Sequence, residues 1–291
     1  MNQELTAEQI QAALNGVTIP PQPQIMVDLQ MEQVSPKRSI EHIADLISQD
    51  MGLSATILKI VNSDFYKLET KLTSVKEAVH LLGIDSVINI VNAQSIRGEL
   101  TDEDIVALGD FWDSATDVAM VSAAIAKELD FANPDDSYTL GLFHNCAVPI
   151  LWRRHQNYGM VMEDAYAHPT KRIIDFENET FKTNHAVVGY YVAHSWKLPD
   201  RLCQAIADHH SADRLFLSDI ASSDEQKSLI AVLKMAEHIC GLHKIIGKNE
   251  DDLEWERLET PILDYLNISD YEWQNMKDSM QEMLSHPHVT S

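Results

Sequence analysis

The chain has 291 residues, 45% of them hydrophobic, and carries 22 Lys+Arg against 45 Asp+Glu for a net charge of −23. That length holds one large domain or two modest ones, and so acidic a chain repels phosphate backbones, which argues against nucleic acid as a partner. Three separated cysteines (Cys146, Cys203, Cys240) without a CxxC pair argue against a disulfide framework or a cysteine zinc site and for a reducing compartment. The N-terminus lacks a signal peptide's basic head and apolar core, and no run approaches the ~18 apolar residues of a membrane span; the expectation is a cytoplasmic protein with no membrane partner.

In chain order, the signals are helical. SIEHIADLISQD puts Ile40, Ile43, Ala44 and Ile47 on one face behind Ser39 as N-cap. GLSATILKIVNSDFY repeats the pattern with Leu53, Ile57, Ile60 and Val61. SVKEAVHLLG has Ser74 and Glu77 at capping-box spacing and Gly83 at a helix C-terminus; DSVINIVNAQS restarts with Asp85 as expected cap. The pair flanking Gly83 has the outline of a DNA-binding helix-turn-helix. Its second helix, however, offers Asp85, Asn89 and Asn92, with no arginine before Arg97, which does not suit a major groove.

TDEDIVALGD reads as an acidic linker. FWDSATDVAMVSAAIAKELD is a strong amphipathic helix through Phe111, Ala115, Val118, Ser122, Ile125 and Leu129. SYTLGLFHNCAVPILWRR reads as one buried helix that Pro149 kinks or ends. KTNHAVVGYYVAHSW, PDRLCQAIADHH and SLIAVLKMAEHICGLH follow as helices, and GKNEDDLEWERLE as a charged connector. SDYEWQNMKDSMQEML closes with a Ser269/Glu272 capping box and a stripe of Trp273, Met276, Met280 and Met283. Period-two runs of β-branched residues are scarce, so the predicted fold is all-α, a multi-helix bundle.

The central helices carry Asp113, His144, His185, His209, His210 and Glu237, and bundles commonly build metal sites from such inward-facing side chains. Spacing alone is a weak signal, since a histidine in a helical pattern is more often a hydrogen-bonded core residue. As neighbours on a helix, His209 and His210 point ~100° apart, so only one is expected to reach a given site.

Several motifs in order resemble the HDOD family, the HD-related output domain of bacterial signalling. These are IPPQPQIMVDLQ, IADLISQDMGLSATILKIVNSDFY, LTSVKEAVHLLGIDSVINIV, LGLFHNCAVPIL, NHAVVGYYVAHSWKLP and AIADHH, together spanning about residues 17–245. The resemblance implies an N-terminal helical subdomain over 1–105, packed on an HD-like helical core over 106–248, with a C-terminal helical extension over 249–291. It also implies kinship with HD-domain phosphohydrolases whose metal site is usually incomplete. By that kinship Asp113 stands where a first histidine would be, and His144 keeps the histidine of the His-Asp pair while Asn145 replaces the aspartate. His185 and one of His209 or His210 match later histidines, Glu237 falls near a late aspartate, and Val148 occupies the place of a lysine.

Asn145 offers a neutral amide oxygen and an NH₂ that cannot bind metal, where aspartate would supply charge and hard oxygens. The expected function is therefore a non-catalytic signalling module acting on a protein partner, with no cofactor and no catalytic residues. Its candidate surfaces are SDFYKLE and the C-terminal Trp/Met helix, unless the Met stripe is core. One alternative is a weak or altered HD-type metallohydrolase. Asp113, His144, His185, His209 and Glu237 would then form a rearranged site for a divalent transition metal such as zinc, iron or nickel. The other is a small-ligand sensor, for which nucleotides are the natural guess although no glycine-rich phosphate loop is present.

Overall fold

The computed structural model describes residues 28–29, 31–32, 35, 39–48, 51–62, 66, 68, 71–98, 109–195, 198–217 and 223–285. Every regular element among them is a helix, so the fold is all-α. The expected linker over 101–108, most of IPPQPQIMVDLQ, and residues 63–65, 67 and 69 of SDFYKLE lie outside them. Two compact units divide the chain: Pro20–Thr101 with Glu282–Ser291, and Asp102–Gln281 with Met1–Ile19. Residues 249–281 therefore share a unit with 102–248.

The smaller unit holds α1 (Ile40–Ser48), α2 (Met51–Val61), α3 (Val75–Leu82) and α4 (Ile84–Gly98). Ser39 Oγ accepts the His42 N–H at 3.3 Å, capping α1 as its sequence asks. Ile43, Ala44, Ile47, Leu53, Ile57, Ile60 and Val61 are buried, so the two apolar faces read from the sequence are the faces that pack. Ser74 caps α3 through the Glu77 N–H, and Gly83 ends it at φ +79°, a conformation that favours glycine. Helix α4 begins at Ile84, so Asp85 sits inside its first turn, where its charge faces the helix dipole favourably, instead of capping it.

The larger unit is built on α5 (Gly109–Leu129) and α6 (Pro134–Phe143). The predicted stripe of α5 is buried from Phe111 through Ile125. At Gly141 a Cβ would stand 2.7 Å from Ala119 Cα, so the two helices touch backbone to backbone and glycine is required. The single helix expected across this stretch is two helices. It breaks at residues 144–147 and resumes as α7 (Val148–Arg154), where Pro149 occupies the first turn and its missing N–H costs nothing.

Then follow α8 (Tyr158–Tyr166), α9 (Ile173–Phe181), α10 (His185–Ser195), α11 (Asp200–Asp208), a 3-10 turn (His209–Ser211), α12 (Ala212–Phe216), α13 (Asp224–Ile239), α14 (Leu242–Ile245), α15 (Leu253–Leu266) and α16 (Asp270–Ser285). Helices α5, α6 and α13 pack on one another, and α11 leans on α6, α10 and α13. The stretch expected as a charged connector turns helical at Leu253, because Asp252 caps α15 by accepting the Trp255 N–H at 3.0 Å. The Ser269/Glu272 capping box forms in both directions. Trp273, Met276 and Met280 are buried, which makes that stripe core. No helix among the described residues is long and apolar enough to cross a membrane.

Candidate metal centre

The break after α6 turns His144 inward, where it is 1% exposed. Its Nδ1 lies 2.7 Å from the Gly141 carbonyl, which can only accept, so Nδ1 carries the hydrogen and Nε2 presents a bare lone pair. Asn145 closes that lone pair, since its amide Nδ2 donates to Nε2 at 2.8 Å. The reverse amide orientation would need hydrogens on both ring nitrogens. Burial above all pushes His144 down to about 3, so a doubly protonated ring is disfavoured there. Glu237 Oε1 stands 3.2 Å from the same Nε2, and burial foremost raises that carboxyl to about 7, opposed by Lys234.

Three further histidines share one design. His185, at the start of α10, places Nδ1 2.6 Å from Glu177 Oε2. Glu177 is wholly buried on α9 and already accepts the Tyr158 hydroxyl at 2.7 Å and the His185 backbone N–H at 3.1 Å. It therefore serves as acceptor for Nδ1–H as well. His209 donates Nδ1–H to the Ile206 carbonyl at 2.7 Å. His210 Nδ1 lies 3.1 Å from Glu254 on α15. The Nε2 atoms are what remain. Those of His185 and His209 face each other at 3.3 Å, and that of His210 is buried with no hydrogen-bond partner. One ring nitrogen from each of the three lies within 4.8 Å of the others. His209 and His210 are held well below the ordinary histidine range by burial first and neighbouring positive groups second, so both present neutral rings.

Charge around the cluster is arranged by Lys234, 3% exposed on α13. Its Nζ donates to Glu237 Oε2 at 2.7 Å and to Glu254 Oε2 at 2.9 Å. Burial alone would lower this lysine, but the two carboxylates outweigh it and hold it charged. Glu254 thus ties His210 to Lys234, and Glu237 lies between Lys234 and His144.

The structure brings His144, Asn145, His185, His209, His210 and Glu237 into one neighbourhood and leaves Asp113 exposed on α5. An HD-type set built on Asp113, His144 and position 145 does not fit an ion. Asp113 points to solvent and the His144 lone pair already has a partner. The other half, His185 with His209 and His210, presents three bare nitrogens and does fit one. Both members of the His209–His210 pair take part, with ring centroids 4.2 Å apart, because the chain passes into a 3-10 turn at His209 and no longer spaces neighbours as an α-helix does. Glu177, Lys234 and Glu254 were missed, although the first two carried a signal: each is a charge set among buried apolar residues (Ile173, Ile174 and Phe181 around Glu177; Ile230, Ala231, Leu233 and Met235 around Lys234).

The family model for the HDOD domain matches residues 19–212. An uncharacterized protein of Treponema pallidum (strain Nichols) is 25% identical over 221 residues, 75% of this chain, and the match spans only 41% of that relative's length. A crystal structure of an HDOD domain protein of unknown function from Geobacter sulfurreducens is similar at TM-score 0.64 and 22% identity, covering 95% of each chain. So is a candidate phosphohydrolase from Shewanella amazonensis SB2B, at TM-score 0.64 and 22% identity over 94% of each chain. At those identities the structures show a shared fold.

Proposed function

The chain belongs to the HDOD domain family, and from that premise we propose that it is a regulatory signal-transduction module that acts by binding another protein and does not hydrolyse phosphate esters. One observation carries the reading: the amide of Asn145 occupies the His144 lone pair that an HD-type enzyme would turn to its metal. A carboxylate there would add a full negative charge for the ion and the developing transition state. Its loss costs about 3–4 kcal/mol by comparison with other single preorganised groups.

Burial supports the same reading. His144, Asn145, His185, His209 and His210 are each at most 4% exposed, whereas a phosphate ester must reach the reacting atoms. Net charge −23 suits steered docking on a basic surface of a cytoplasmic protein partner. The competing reading, an altered metal-dependent phosphohydrolase, draws on the three bare nitrogens.

The test is hydrolysis of a chromogenic phosphodiester and of cyclic dinucleotides by the full chain with Mn²⁺, Fe²⁺ or Zn²⁺ added. The expected rate equals that of the H185A variant. Turnover that H144A and H185A both abolish would replace the regulatory reading with the hydrolytic one.

A further inference from the structure

We propose that His185, His209 and His210 hold one divalent transition-metal ion, of the zinc class, through their Nε2 atoms, in a site that does not use His144. His185 Nε2 and His209 Nε2 face each other at 3.3 Å in the buried core of the larger unit. His185 and His209 each direct Nδ1 at an oxygen, so in their neutral forms the facing Nε2 atoms bring two lone pairs together. Relieving that contact with a proton requires either a positive imidazolium in a site with 0% exposure or the loss of one Nδ1 hydrogen bond. A divalent cation takes both lone pairs at once and leaves both Nδ1 hydrogen bonds in place, with its charge facing the carboxylates behind the rings. Two nitrogens bound to one tetrahedral zinc at about 2.0–2.1 Å stand about 3.3–3.4 Å apart, which is the separation found.

His210 supplies the third donor. Its Nε2 is buried and has no hydrogen-bond partner, and one ring nitrogen of His210 lies within 4.8 Å of one from each of His185 and His209. Neutral imidazole suits zinc, copper and nickel better than calcium or magnesium, which prefer oxygen.

The surroundings match what ligating histidines need. Each ring is oriented by an acceptor behind it: the Glu177 carboxylate, the Ile206 carbonyl and the Glu254 carboxylate. Glu177 and Glu254 stand behind two of the rings and face an ion's charge, and Glu254 and Glu237 also share Lys234. An ion here would tie α10 to the 3-10 turn and, through Glu254, to α15. It would lock the larger unit whether or not the protein hydrolyses anything.

The test is metal content and zinc binding of the full chain, purified without chelators, stripped, and then dialysed against Zn²⁺ or Co²⁺. The expected result is one ion per chain, a raised melting temperature with Zn²⁺, and visible absorption of tetrahedral Co²⁺. H185N and H210N should each lose the ion, H144N should keep it, and E177Q, which weakens the acceptor behind His185, should bind about 10–100-fold more weakly. The circular dichroism of each stripped variant checks that it is folded. Less than a tenth of an equivalent on folded wild-type protein overturns the proposal, as does binding that survives H185N or H210N or disappears in H144N.

Discussion

The larger unit contains two groups of buried or half-buried histidines, and they differ in where the carboxylate stands. Around His185, His209 and His210 the acceptors lie behind the rings, so the opposite nitrogens turn toward one another. Around His238 and His243 the carboxylate lies between the rings. Asp252 Oδ2 is 2.9 Å from His238 Nδ1 and 3.4 Å from His243 Nδ1, while Lys277 donates to His238 Nε2 at 3.0 Å. Trp255 stacks on His238 with centroids 5.1 Å apart. In the second group the shared carboxylate and Lys277 fasten α13, α15 and α16 together. The first leaves nitrogen lone pairs in want of a cation. Residue type is the same in both, and the placement of one acid decides between a fastening and a ligand set.

That contrast can be broken first at Glu177. E177L removes a buried acceptor from three donors and should cost about 3–5 kcal/mol of unfolding free energy, read by urea denaturation. E177Q keeps an acceptor and should cost clearly less; equal losses would mean that the charge, and not the oxygen, holds His185.

The second group is tested at Asp252. D252N retains a good cap for α15 but loses the charge shared by the two rings, for an expected cost of about 1–3 kcal/mol. Burial alone would raise the Asp252 carboxyl, yet the rings of His238 and His243 and the Trp255 N–H outweigh it and hold it well below the ordinary range. A depressed folded-state value means that the contribution is complete above the unfolded value of about 3.9 and disappears as pH falls through the lower folded one. The gap between wild type and D252N should therefore stay constant from neutrality to about pH 5 and close only in stronger acid. A gap that closes between pH 7 and 5 would place the titrating group elsewhere.

The smallest effect is expected at Ser269, whose hydroxyl caps α16, the helix that carries Trp273 and Lys277 to this group. S269A should cost about 1 kcal/mol and leave zinc binding unchanged.

Much of the fold was legible from the sequence. The stripes of α1, α2 and α5, the caps at Ser39 and Ser74, and the Ser269/Glu272 box all formed as read, because local periodicity and capping determine them. Three features escaped. The break at residues 144–147 depends on what His144 finds inside the unit. The helical start of α15 depends on a single acid, Asp252, inside a run of acids. The joint use of His209 and His210 depends on one turn tightening. At the site, the histidines were visible but their acceptors were not. Glu177 lies eight positions before His185 and Glu254 lies 44 after His210, so only folding makes them neighbours.

Asn145 also bears on what a carboxylate at its position would do. Restoring the acid with N145D would set a second carboxyl beside the one imidazole that Glu237 already approaches. Two acids so close in a dry cleft do not readily both ionise, so one of them, foremost Glu237, already raised to about 7 by burial, would hold a proton. Glu237 would have to move as well before an open oxygen faced any ion. An open metal-facing nitrogen on His144 therefore takes two concerted changes, at positions 145 and 237, neither sufficient alone.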